Sequence, residues 1–241
     1  MNDPAGDSQT KPIDSPCAMA KAACDSGWIG RLRGQRCIYL FVALLLLLVL
    51  TPLLGESPAA RVLGNVLNVI VLASAVTAIS RSTASLALAI VLALPVVGYQ
   101  VTALFFKIPQ YLVYSWGFAA GFYFMTLVCL LRYVLGVTAM DADKLNGAAA
   151  AYLLAGIFWA YIYAVVQHLM PGSFASAGAP VPVTLPGLIE FSFAVLTTSG
   201  YGDVTPALAF ARGLVTLEKI CGVLFVAILI ARLAGIYPSG R

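Results

Sequence analysis

Ionisable side chains are scarce in this 241-residue chain: Lys and Arg together number 14, Asp and Glu 10, and His168 is the single histidine. No stretch sets out paired carboxylates, a Cys/His ligand cluster or a Gly-rich phosphate loop, so the sequence offers no catalytic constellation and an enzyme is not expected. The five cysteines (Cys17, Cys24, Cys37, Cys129 and Cys221) are odd in number and contain no CxxC pair. That pattern argues against a disulfide framework and equally against a structural metal. The net charge of +4 comes from basic residues scattered among loops rather than grouped on one face, so no nucleic-acid partner is indicated.

What is abundant is apolar surface. Hydrophobic residues make up 61% of the chain and charged residues 10%, and the mean hydropathy is +0.94. Several apolar runs approach or exceed the ~20 residues that a helix needs to cross a ~30 Å hydrocarbon core. The composition is that of an all-α, polytopic membrane protein. Residues 1–36 mix Asp, Ser, Gly, Pro and Lys without periodicity and read as a disordered cytoplasmic tail. More than 30 residues precede the run Leu44 to Leu48, too many for a signal peptide, so that run reads as a retained first span. Six spans are expected near 37–54, 62–80, 84–106, 110–136, 147–170 and 207–235, followed by a short tail at 237–241.

The placement of Lys and Arg sets an orientation. With the N-terminus inside, the cytoplasmic side carries Arg31, Arg33, Arg36, Arg81, Arg132, Lys144, Arg232 and Arg241, whereas the outside carries Arg61, Lys107 and Arg212. This excess obeys the positive-inside rule and puts both termini in the cytoplasm. His168 then falls at the outer end of the fifth span, as an interfacial residue.

Between the fifth and sixth spans lies a segment of roughly 36 residues that opens with Pro171-Gly172-Ser173 and carries Pro180, Pro182 and Pro186. Its apolar stretch from Leu188 to Leu196 is too short to cross a bilayer and fits a re-entrant helix. Irregular backbone at membrane depth is tolerated where protein or a water-filled cavity surrounds it. The stretch is followed by Thr197-Thr198-Ser199-Gly200-Tyr201-Gly202-Asp203 and then Thr205-Pro206. A short helix with a Thr-Thr end, then Gly-Tyr-Gly-Asp and a long apolar helix, resembles the pore of the potassium channel family, whose usual filter reads Thr-Val-Gly-Tyr-Gly-Asp. The resemblance covers roughly residues 150 to 235, about a third of the chain.

The resemblance implies a homotetramer at the cell membrane, because one loop supplies a quarter of a carbonyl ring. It implies a pore domain at 147–236 and a separate four-helix domain at 37–136. It implies potassium as the permeant ion, with no other cofactor, held by the Thr198 hydroxyl and the carbonyls of Thr198, Ser199, Gly200 and Tyr201, with Gly202 completing the filter. Thr197 would stand at the pore-helix end, whose partial negative charge favours a cation. Asp203 would sit just outside and support the filter. Residues 62–136 hold only Arg81, Lys107 and Arg132 as basic residues, all near span ends, too few for a voltage sensor.

Five positions depart from that pattern or add to it. Ser199 stands where the family has Val or Ile, so a hydroxyl must find a partner; either it bonds locally and selectivity survives, or the filter softens. Glu190 stands where an aromatic residue commonly braces the filter aspartate. Either it lies near Asp203 as a like charge, making external pH a variable, or it is solvated at the start of the pore helix. Gly222, nineteen positions after Asp203, is either a gating hinge or a close-packing residue. Glu218 and Lys219 fall well inside the sixth span, where ionisable groups suggest function, and as neighbours they face different ways. The rival readings are a weakly selective monovalent cation channel, and a polytopic transporter or scaffold subunit. A transporter predicts a second broken helix in residues 37–136, and none is evident.

Overall fold

The computed structural model describes residues 36–53, 58–79, 87, 89–98, 112–136, 142–176, 183–200 and 203–236. Residues 1–35, 237–241, Tyr201, Gly202 and parts of the third expected span, 84–106, lie outside the described residues. In chain order the helices are α1 (Arg36–Leu53), α2 (Pro58–Ile79), α3 (Ala89–Gly98), α4 (Leu112–Val134), α5 (Ala142–Leu169), α6 (Leu185–Leu196) and α7 (Ala209–Ile236). Two three-residue strands, β1 (Phe174–Ser176) and β2 (Val204–Pro206), flank α6 in the chain.

Among the described residues three helical stretches are long and apolar enough to cross a membrane: Val113–Val134, Asp143–Leu169 and Ala209–Arg232. Cys37–Thr51, Val62–Val76, Ala89–Gly98 and Leu185–Leu196 form shorter apolar helices. The chain is therefore a helical membrane protein. Large apolar side chains such as Val49, Val66, Phe124 and Ile228 stand on its exterior, as suits a surface solvated by lipid.

Helix α5 is the organising element, packing against α1, α4, α6 and α7. Lipid tails are as apolar as Leu, so close helix contact relies on small residues and polar ties rather than on expulsion of water. Accordingly α5 buries Ala148, Ala150, Ala151, Ala160 and Ala164. Its Tyr161 ring stacks on Tyr123 of α4 at 5.4 Å, and the Tyr123 hydroxyl donates to Asn68 of α2 at 2.7 Å.

Helix α5 begins at Ala142, not near 147. The polar pair Asp143 and Lys144 reads as loop, yet both side chains are buried. Asp143 accepts from the backbone N–H of Cys37, an orphan donor of the first turn of α1, and from the Tyr133 hydroxyl, each at 3.0 Å. With those partners the carboxylate ties three helices together and the helix continues through it. Helix α2 likewise begins at Pro58 rather than 62, since proline needs no donor in a first turn.

Candidate functional site

Helix α6 spans 12 residues, or ~18 Å at ~1.5 Å per residue, well short of a ~30 Å hydrocarbon core. It starts three residues before the apolar stretch that marks it in the sequence. Thr184 adopts extended geometry (φ −86°, ψ 159°), its hydroxyl accepts from the Gly187 N–H, and Pro186 fits the first turn. Leu188, Phe191, Ser192, Ala194, Val195 and Leu196 are buried.

Two aromatic contacts fix how α6 sits on α5. Phe191, Tyr163 and Phe174 form a triangle with ring centroids 5.0 to 5.7 Å apart. Phe193 lies over Gly156, where a Cβ would come within 2.6 Å of its ring. Only a residue without a side chain admits that ring.

The C-terminal end of α6 closes in a Schellman arrangement. Thr198 N–H donates to Val195 O and Ser199 N–H to Ala194 O, both at 3.1 Å. The position beyond the cap is normally glycine; here it is Thr198, at φ +56°. A β-branched residue in the left-handed region is strained, and such strain gathers at functional sites. Gly200 is also left-handed, at φ +72°. The Ser199 hydroxyl bonds locally, donating to Ala194 O at 3.3 Å and lying 3.2 Å from the Thr197 hydroxyl. Thr197 itself caps the helix, its hydroxyl donating to Phe193 O at 2.7 Å.

Beyond the loop, Asp203 is exposed and leads into β2. β2 pairs antiparallel with β1, Ala175 opposite Thr205. The ribbon is tied to the end of α5 where Phe174 N–H donates to the Gln167 side chain at 2.8 Å, and its two arms are joined further where Ala207 N–H donates to Ser173 O at 2.8 Å. Both sides of the loop are therefore fixed to the same helix. Glu190 is exposed on α6, and no described contact joins it to Asp203.

Helix α7 completes the arrangement. Glu218 is fully buried, with 0% of its surface accessible. Its carboxylate accepts from the Tyr163 hydroxyl of α5 and, at 2.5 Å, from the Ser192 hydroxyl of α6. Lys219 points outward and is exposed. One turn further on, Gly222 brings α7 against the end of α6, where an added Cβ would lie 2.8 Å from Leu196 O. The same carbonyl accepts from the Tyr152 hydroxyl of α5 at 3.2 Å. Near the other end of α7, Arg232 donates to the carbonyls of the turn that follows α4, Leu135 O at 2.6 Å and Gly136 O at 2.5 Å.

Thr197, Thr198, Ser199 and Gly200 thus stand together at the end of α6, with Gly222 behind them, while Tyr201 and Gly202 lie outside the described residues. Tyr152, Gly156, Tyr163 and the bonding role of Ser192 escape a reading of the sequence. The one signal for Ser192 is a lone hydroxyl between the aromatic rings of Phe191 and Phe193. No group of three or more His, Cys, Asp or Glu suited to a metal ion occurs among the described residues.

Comparison with known proteins bears on the same segment. No curated protein and no solved structure matches the chain. Residues 149–237 match the family model described as "Ion channel". This match runs from α5 through α6 and the loop to the end of α7, and it supports an ion-channel family for the chain.

Proposed function

We propose that this chain is the subunit of a homotetrameric potassium channel at the cell membrane. In this reading six helices span the bilayer, both termini are cytoplasmic, and α6 is a re-entrant pore helix. The loop from Thr198 through Gly202 supplies one quarter of a carbonyl-lined filter, and Asp203 supports its outer end.

The observation that carries the proposal is the setting of α6. It is too short to span, it is wedged between two helices that are long enough, and it ends in a loop with left-handed residues at Thr198 and Gly200. Such a backbone is neither helix nor strand, which at membrane depth suits the lining of a water-filled path. The helix dipole directs partial negative charge toward that path. The exposed face of α7 supports assembly: 17% of its span is buried, against 50% for α5. With so few charges in the first four helices, gating is not steeply voltage-dependent.

A weakly selective cation channel is the second reading, and Ser199 is the observation that favours it. The bonds of its hydroxyl to Ala194 and Thr197 weigh for the selective one. The test is purified protein, cross-linked in detergent and reconstituted in liposomes under a potassium gradient. A cross-linking ladder ending at four and a potassium flux are expected. A ladder ending at two, or no flux of any cation, overturns the proposal.

A further inference from the structure

Glu218 is the one acidic side chain of α7, and it is entirely enclosed. A carboxylate in that position is costly unless its oxygens are engaged. Here each oxygen has its own donor from a different helix: Tyr163 of α5 at Oε2 and Ser192 of α6 at Oε1. Ser192 lies on the buried face of α6, six residues before Thr198 in a helix whose C-terminal turn leads straight into the loop. Its hydroxyl is also 2.8 Å from Gly156 O, so the serine has a second acceptor if the carboxylate withdraws. One turn beyond Glu218, Gly222 meets the Leu196 carbonyl. The two contacts run in step along α6 and α7, four residues apart on each helix.

We propose that Glu218 is a positioning residue for permeation. Its carboxylate couples the inner helix to the pore helix through Ser192, so that a displacement of α7 is delivered to the base of the filter loop. Tyr163 holds the carboxylate against α5, which gives the coupling a fixed side to act against. Any bend of α7 near Gly222 then changes the register between Glu218 and Ser192, and with it the hold on Thr197 and Thr198. The proposal rests on the channel reading above.

The experiment is single-channel recording of the full-length protein in planar bilayers, for wild type, Ser192→Ala, Glu218→Leu, Glu218→Gln and the Ser192→Ala/Glu218→Leu double variant. Loss of one hydrogen bond to a charged group corresponds to roughly tenfold, so Ser192→Ala and Glu218→Leu each reduce open-state occupancy about tenfold. Glu218→Gln keeps an acceptor for Ser192 and can donate to the Tyr163 oxygen, so it stays within about threefold of wild type. The double variant matches Glu218→Leu, since both changes cut one link. Glu218→Leu takes the acceptor from the buried Tyr163 hydroxyl, whereas Ser192 keeps Gly156 O; if it does not assemble, Ser192→Ala alone decides. Wild-type openings with unchanged occupancy in Ser192→Ala overturn the coupling and leave the channel reading intact. A multiplicative, hundredfold loss in the double variant also overturns it. A wild type that passes no current removes both.

Discussion

Gly222→Ala separates two roles for that glycine by the sign of its effect on stability. In a helix interior Ala is favoured over Gly by about 0.8–1.0 kcal/mol. A glycine kept only as a flexible hinge therefore gains stability on substitution. The geometry at Gly222 dictates the opposite. The new Cβ would stand 2.8 Å from the Leu196 backbone oxygen and 3.1 Å from Leu196 Cδ1. A backbone oxygen at the end of α6 cannot rotate aside as a side chain can, so α6 and α7 must move apart. Overpacking of this kind costs about 1–3 kcal/mol, which meets or exceeds the propensity gain. Gly213, on the same helix, supplies the control, because nothing lies within 4 Å of its added Cβ. The two substitutions should therefore differ by about 1–3 kcal/mol, which is the overpacking cost by itself. Thermal melts in detergent, followed by tryptophan fluorescence, should place Gly222→Ala below Gly213→Ala. If Gly222→Ala melts at or above Gly213→Ala, the close approach of α7 to α6 is not what the glycine serves.

Other consequences follow from single side chains. Asp143→Ala removes the acceptor for Cys37 N–H and the Tyr133 hydroxyl, so melts should show a loss of about 1–3 kcal/mol, with Asp143→Asn recovering part of it. Arg232→Gln gives up two charged donors to Leu135 O and Gly136 O. Amide hydrogen exchange at the end of α4 should then accelerate, and Arg232→Lys should not restore it, because an ammonium lacks the planar fork; unchanged exchange would count against the tie. Ser199→Val loses a local hydroxyl bond while the Ser199 N–H still donates to Ala194 O. Its cost should stay within about 1 kcal/mol with potassium flux retained, and abolished flux would mean the hydroxyl does more than bond locally.

The fold was legible where one physical signal dominated. Helix α7 (Ala209–Ile236) agrees with the apolar run 207–235 to within two residues, because length and hydrophobicity alone decide a span. The short helix α6 was legible for the same reason, although its start shifted to Leu185 once the Thr184 cap and Pro186 were in place. The polar start of α5 was not legible: Asp143 is helical because of Cys37 and Tyr133, the first more than a hundred residues away in the chain. The ribbon of β1 and β2 was invisible because three-residue strands carry no period. At the site, the residues of the loop announce themselves by type, whereas Glu218 announces only that a buried charge exists. Its partners Tyr163 and Ser192 are ordinary residues whose meaning comes from the crossing of three helices. Glu190 stands exposed on α6, but five residues past Leu185 and not in the first turn, because the Thr184 cap and Pro186 start the helix earlier than its apolar stretch suggests.

The central claim is that the loop after α6 passes potassium selectively. Its most direct test is the reversal potential of wild-type current in a planar bilayer with potassium on one side and sodium on the other. The account predicts a shift of at least about 59 mV toward the potassium equilibrium potential, the equivalent of tenfold selectivity for a singly charged ion. A reversal potential at zero, in a membrane that carries wild-type current, would contradict it.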